Sequence, residues 1–303
     1  MILYYTILLG YGCINYGGLT KKVNRCKIIS IKAKASLSFN DLEVSLSFFL
    51  WENMHGEIYE EGFKMKKCSQ LYEGKAKQVF LTDEPDVLIV SYKDDATAFN
   101  GQKKGTISGK GALNNSISNL LFQKIQEEGI PTHFIKELND SETAVRKVEI
   151  VPLEVIVRNV VAGSFSKKMG IPEGTKLHEP TIEFSYKNDE LGDPFINSSY
   201  AKALKIATSE ELETIKEYAF RVNDILSREF LKAGLRLVDF KLEFGRFHGK
   251  IILADEISPD TCRLWDKDSG AKMDKDRFRR DLGNVEEAYI EVAKRLGLEI
   301  KKG

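Results

Sequence analysis

A mixed fold of strands and helices is predicted by three stretches of the chain. Between Val238 and Asp266 the sequence VDFKLEFGRFHGKIILADEISPDTCRLWD begins by alternating apolar and charged residues, the period of a strand. Leu113, Ile117, Leu120, Leu121 and Ile125 recur at helical spacing and stop at Gly129-Ile130-Pro131, which predicts a helix over 111–128. Leu212, Ile215, Ala219, Val222 and Leu226 repeat that stripe behind a capping box at Thr208 to Glu211 and end at Gly234.

The alternating stretch carries the chemistry. Val238, Phe240, Leu242 and Phe244 fall on one strand face, and Asp239, Lys241 and Glu243 on the other. Turn residues from Gly245 to Gly249 lead to a second apolar run, Ile251 to Ala254, ending in Asp255 and Glu256, so a hairpin is expected. A register pairing 239 with 255 would set Asp239 and Asp255 about 5 Å apart at their Cβ atoms. A slip of one residue would substitute Glu256. Facing carboxylates repel unless a cation separates them, and hard oxygen donors suit magnesium. The blander alternative is a solvated face of an edge hairpin. The following stretch, Ser258 to Asp266, reads as an irregular polar loop with an arginine directly after the acids, which favours the magnesium reading.

The 303 residues balance 45 basic against 45 acidic side chains, with a pI near 6.9, so net charge offers no polyanion-binding surface and nucleic acid is not an expected partner. Cys13, Cys26, Cys68 and Cys262 have neither metal-ligand spacing nor disulfide density, which fits a reducing, cytoplasmic setting. His55, His133, His178 and His248 are scattered. No apolar run approaches the roughly 18 residues of a membrane span.

Residues 1–64 differ in composition from the rest, and acids are absent until Asp41. They read as an N-terminal extension outside the catalytic fold. A start assigned upstream of Met65 is preferred over a lysine-rich transit peptide, and a secretory signal lacks its basic leader. Beyond Met65, Leu71 to Phe80 reads as two strand pieces about Gly74, with Lys75 and Lys77 on one face of the second, and Val87 to Tyr92 as another strand. Asp94 to Gly111 reads as a mobile glycine- and lysine-rich loop.

Strands are expected at His133 to Glu137, Ala144 to Lys147 and Ile150 to Asn159. The last carries Glu154 and Arg158 on one face, as an internal ion pair or a ligand site. Gly163-Ser164 then opens a short helix, and its amides and hydroxyl, with the Arg158 fork, suit an anion. Tyr186 to Pro194 reads as site wall or solvated loop. A short helix is expected over Asp274 to Arg280, with Lys275, Arg277, Arg279 and Arg280 as a solvated face, and a final helix capped at Asn284.

Ile150 to Ser164 (IVPLEVIVRNVVAGS) and Leu237 to Gly245 (LVDFKLEFG) resemble the signature motifs of the phosphoribosylaminoimidazole-succinocarboxamide synthase, or SAICAR synthetase, family. The likeness extends through LYEGKAK (71–77), DEISPDTCRLWD (255–266) and MDKDRFRR (273–280), and covers the chain from about Met65. The resemblance implies a two-lobed α+β fold related to kinases and ATP-grasp enzymes, with an ATP-binding lobe at 65–150 and a substrate and magnesium lobe at 151–303. It implies a ligase of purine biosynthesis that joins carboxyaminoimidazole ribonucleotide to L-aspartate with ATP as co-substrate, and a homo-oligomer. Lys75 and Lys77 would meet the ATP phosphates and Glu243 and Asp255 would hold Mg2+. Asp239 and Lys241 would orient the reacting groups, Arg158 and Ser164 would take the ribonucleotide phosphate, and Asp260 and Arg263 would contact the ribonucleotide or aspartate. A small-molecule kinase and a nucleotide-binding module without turnover are the competing readings.

Overall fold

The computed structural model describes residues 2–7, 29–34, 65–98 and 101–299. The chain divides into two compact units, Met1–Lys64 and Met65–Gly303. In the first, β1 (Ile2–Ile7) runs antiparallel to β2 (Ile29–Lys34). Cys13, Cys26, Asp41 and His55 lie outside the described residues, as does most of the expected extension.

The second unit begins with β3 (Lys67–Glu73), β4 (Lys77–Thr82) and β5 (Val87–Tyr92), followed by the two-stranded β6 (Asp95–Ala98) and β7 (Lys103–Thr106). Helix α1 (Lys110–Glu127), β8 (Phe134–Asn139) and β9 (Glu142–Arg146) complete a five-stranded antiparallel sheet in the order β3-β4-β5-β9-β8. The expected mobile loop at 94–111 is therefore largely ordered. Asp95 to Ala98 pairs with Lys103 to Thr106, and the Asp94 carboxylate accepts from the Gly109 and Gly111 amides at 3.0 and 2.8 Å, closing the α1 N-terminus.

From Glu149 the strands join a second sheet: β10 (Glu149–Ile150), β11 (Leu153–Val160), β12 (Lys176–Tyr186), β13 (Phe195–Ile196), β14 (Leu235–Phe247), β15 (Lys250–Ala254) and β16 (Cys262–Asp266). Between them lie α2 (Gly163–Met169), a 3₁₀ turn at Asp189–Leu191, α3 (Ser198–Ala203) and α4 (Ser209–Lys232). After them come α5 (Asp276–Arg279) and α6 (Val285–Arg295). β14 is the centre, pairing with β10, β11, β15 and β16. Gly245 makes room for this crowding, since a Cβ there would stand 2.5 Å from the Val148 side chain.

Helix α4 begins with the expected capping box, Thr208 and Glu211 exchanging side-chain and backbone bonds. Its stripe of Leu212, Ile215, Ala219, Val222, Leu226 and Phe230 is buried with Phe240, Leu242 and Phe244 of β14 and Ile117 and Leu121 of α1 in one core. Burying each of the larger of these side chains contributes about 1.5–3 kcal/mol.

Four expectations fail for physical reasons. The strand parity breaks at a register irregularity between Leu237 and Asp239, so Leu237 joins the main core while Val238 packs with Val160, Ala162 and Trp265. Cys262 to Asp266 is strand β16 and not an irregular loop, because the front half of β14 offers it a free edge. Asn284 holds the N-cap position of α6 at φ 49°, but its side chain makes no capping bond. The basic face after Met273 is tied down: Arg279 and Arg280 pair with Asp276, and Arg280 also with Glu173.

Candidate active site

The hairpin register differs from the expected one. β14 and β15 pair Glu243 with Ala254 and Phe247 with Lys250, so Asp255 follows the last paired residue and Asp239 lies four residues before the paired segment. Asp239 and Asp255 are not cross-strand neighbours. Asp239 is opposite Arg158 of β11 on one side and Arg263 of β16 on the other, because only the back half of the long β14 is flanked by β15. The charged face of β14 thus serves two clusters.

The first cluster joins the two sheets. Lys77, at the start of β4, is ion-paired with Asp255 and lies 3.6 Å from Glu256. Lys241 Nζ reaches Glu243 at 2.6 Å, Asp255 at 3.0 Å and Glu154 at 3.8 Å, and Lys187 reaches Glu243 at 2.6 Å. Glu243 is almost wholly buried, so the solvated-face alternative fails for this strand. Burial disfavours both charges of the Lys241–Asp255 pair, but their partners outweigh it: Asp255, Glu243 and Glu154 hold Lys241 well above its ordinary value, and Lys241, Lys77 and Lys187 hold Asp255 well below its own. Both stay ionised. Asp255 is held at φ 65°, a left-handed conformation uncommon for a residue with a side chain.

The second cluster alternates acids and arginines. Arg158 donates from Nε and Nη2 to Glu183 at 2.9 and 3.1 Å, and from Nη1 to Asp239 at 2.7 Å. Its expected partner Glu154 points instead to Lys241. The register decides this: Arg158 is opposite Asp239, and Glu183 and Lys241 both lie opposite Ile156, diagonal to Arg158 and to Glu154 on the same face. Arg263 donates to Asp239 at 2.9 and 3.1 Å and to Asp276 at 3.0 Å. Its guanidinium lies against Gly163, where a Cβ would come within 2.4 Å of it, and Gly163 sits at φ 57°. Ser164, next in α2, is exposed beside this row. Below it, Asp274 is fully buried and accepts the Leu264 and Asp276 amides at 2.8 and 2.7 Å; burial and then the Asp276 charge push it up to about 7.

The remaining predicted residues stand apart. Asp260 is enclosed, accepting from Lys110 at 2.9 Å and from the Tyr289 hydroxyl at 2.5 Å, with Lys275 at 3.5 Å. Lys75 lies in the turn before β4 and not on the strand with Lys77; it is half exposed and pairs with Asp189 at 2.7 Å.

Sequence reasoning missed Lys110, Lys187 and Glu183 as members of these clusters. Lys110 sits in a glycine-rich stretch that reads as a mobile loop, and Lys187 in a polar region that reads as site wall or solvated loop. Glu183 belongs to β12, for which no strand was expected, although Ile182, Phe184 and Tyr186 alternate.

Among the described residues, no group of three or more His, Cys, Asp or Glu is arranged to hold a metal ion by itself. Glu243 and Asp255 nevertheless flank one ammonium with hard carboxylate oxygens. Magnesium commonly binds through one or two carboxylates together with substrate phosphates, and this donor set fits that mode.

Fold and site together define an α+β protein whose two antiparallel sheets meet at buried lysine–carboxylate pairs. The SAICAR synthetase family profile matches residues 70–296. A phosphoribosylaminoimidazole-succinocarboxamide synthase of Lachnoclostridium phytofermentans is 67% identical over 235 residues, 78% of this chain and 100% of that protein. The crystal structure of the Ehrlichia chaffeensis phosphoribosylaminoimidazole-succinocarboxamide synthase is 48% identical, covers 77% of this chain and 100% of its own, and superposes with a TM-score of 0.75. A type-2 SAICAR synthetase solved in complex with ADP is 50% identical with the same coverages and TM-score. The chain belongs to the SAICAR synthetase family.

Proposed function

We propose that this protein joins carboxyaminoimidazole ribonucleotide to the amine of L-aspartate, converting ATP to ADP and phosphate in purine biosynthesis. The observation that carries the site assignment is the convergence of Lys77 from the first sheet and Lys241 from the second on one carboxylate, Asp255. That junction is a place where a nucleotide's phosphates can be gripped from both sides. The relative solved with ADP supports nucleotide use.

A carboxylate is a poor electrophile at neutral pH, so activation comes first. The ribonucleotide carboxylate attacks the γ-phosphorus of ATP, forming an acyl phosphate and releasing ADP. The aspartate amine then attacks the acyl carbon, phosphate leaves, and the amine proton passes to solvent or a neighbouring base. Such transfers need positioning and charge neutralisation more than covalent help. Lys77 and Lys241, both held charged, supply that neutralisation, and Lys75 closes over the outer phosphates. Glu243 and Asp255 would hold a magnesium ion, which would neutralise charge on the phosphates when bound. Arg158, Arg263 and Ser164 form the proposed ribonucleotide phosphate site, where Asp239 fixes both guanidiniums. Asp260 acts from beneath, holding Lys110 and Tyr289.

The test is an assay with the three substrates, each omitted in turn. The ligase reading expects succinocarboxamide product only with all three. ADP formed at full rate without aspartate, with no succinocarboxamide product on adding it, would instead establish a small-molecule kinase.

A further inference from the structure

The two charged clusters are joined by one stretch of chain, the loop from Asp255 to Thr261 that leaves β15 and leads into β16. Asp255 stands at its start among the lysines, and Arg263 lies just past its end among the acids. The loop is bonded to itself and to its surroundings. Ser258 Oγ accepts from the Asp260 amide at 3.1 Å and donates to Glu256 at 3.1 Å, while the Ser258 carbonyl accepts from the Thr261 and Cys262 amides at 3.0 and 2.8 Å. The Ile257 amide donates to Ser118 of α1 at 3.1 Å, and the Lys275 amide to the Pro259 carbonyl at 3.0 Å.

Asp260 supplies the side-chain anchor. Its Oδ1 accepts from the Tyr289 hydroxyl of α6 at 2.5 Å and its Oδ2 from Lys110 of α1 at 2.9 Å, with Lys275 at 3.5 Å. Tyr289 and Lys110 are both wholly buried, and a buried hydroxyl that donates to a carboxylate makes a strong, charge-assisted bond. Burial first, and then the Asp260 charge, hold the Tyr289 hydroxyl well above its ordinary value, so it stays protonated and keeps donating. Two helices from distant parts of the chain therefore grip one carboxylate by separate oxygens.

We propose that Tyr289 is a positioning residue of the ligase reaction, fixing through Asp260 the loop that sets the span between the nucleotide-phosphate cluster at Asp255 and the ribonucleotide cluster at Arg263. The inference rests on the proposed assignment of those two clusters. Each substrate is held by its own cluster, so a loosened loop leaves the separate affinities in place. What it degrades is the approach of the ribonucleotide carboxylate to the γ-phosphorus, where a misplacement of about 1 Å costs up to about a hundredfold in rate.

Two variants test this. Tyr289→Phe keeps the ring in the core and removes only the hydroxyl, while Lys110→Met keeps the length of the side chain and releases the other carboxylate oxygen. For each, kcat with all three substrates is set beside separate calorimetric titrations of ADP in magnesium chloride and of the ribonucleotide, at a temperature where thermal unfolding shows the variant folded. Tyr289→Phe is expected to lower kcat by at least about tenfold while both affinities stay within about twofold of the parent. Lys110→Met should show the same split, and it carries the test if Tyr289→Phe does not fold. A structural role alone lowers Tm and leaves the turnover of the folded variant unchanged, so parental kcat in a folded variant overturns the proposal. Losses of affinity that match the loss of kcat overturn it too, because the clusters themselves would then depend on the clamp. The parent enzyme, run alongside, separates the two levels. No succinocarboxamide product from the parent sinks the ligase reading and the positioning role together; an active parent with unaffected variants removes only the role of Tyr289.

Discussion

Asp239 stands between two arginines, accepting from Arg158 at 2.7 Å on β11 and from Arg263 at 2.9 Å on β16. Each arginine has a second acid on its far side, Glu183 for Arg158 and Asp276 for Arg263. The row therefore alternates in sign, and Asp239 is its shared centre. Removing its charge leaves the buried Arg158 guanidinium and the half-buried Arg263 guanidinium without their shared acid.

Asp239→Asn should therefore cost about 3 kcal/mol of stability, the scale of breaking a buried pair. It should also raise KM for the ribonucleotide by at least about tenfold, or about 1.4 kcal/mol, with a smaller change in KM for ATP. Thermal unfolding and steady-state kinetics check both. An equal effect on the two Michaelis constants would count against the ribonucleotide site.

Asp255→Asn keeps the size of the side chain and removes the charge that Lys77 and Lys241 share. Turnover should fall by at least about tenfold, or about 1.4 kcal/mol of barrier, and the magnesium concentration for half-maximal rate should rise. A variant with parental turnover at limiting magnesium would refute the assignment.

Asp274 predicts a pH dependence of stability. It is raised to about 7 in the folded protein, mainly by burial and then by the Asp276 charge, against an ordinary value of 3.8. Between those values the folded chain binds more protons than the unfolded one, so this group makes stability fall as pH rises from 4 to 7, with no further change from it above 7. Asp274→Asn does not titrate. Its Tm relative to the parent should climb between pH 5 and pH 8, as scanning calorimetry at the two values would record. A difference that shrinks with rising pH would contradict the assignment.

Much of the framework was legible from local pattern. The α1 and α4 stripes, the capping box at Thr208 and the two strands that become β14 and β15 follow from periodicity and turn residues, which are local properties. Pairing is not local. The four strands that β14 gathers set its register, so the partner of Asp239 could not be read from the hairpin turn alone. Lys110 shows the same limit from the other side. It is fully buried on Asp260, 150 residues away, and nothing in its glycine-rich neighbourhood distinguishes it from a solvated lysine.

The central claim is that the ribonucleotide carboxylate is activated by phosphoryl transfer at the junction of Lys77, Lys241 and Asp255. Oxygen-18 placed in that carboxylate tests it most directly, by mass spectrometry of the phosphate released in the presence of ATP and L-aspartate. An acyl phosphate predicts that one labelled oxygen leaves with the phosphate in each turnover. Released phosphate without label would contradict the account.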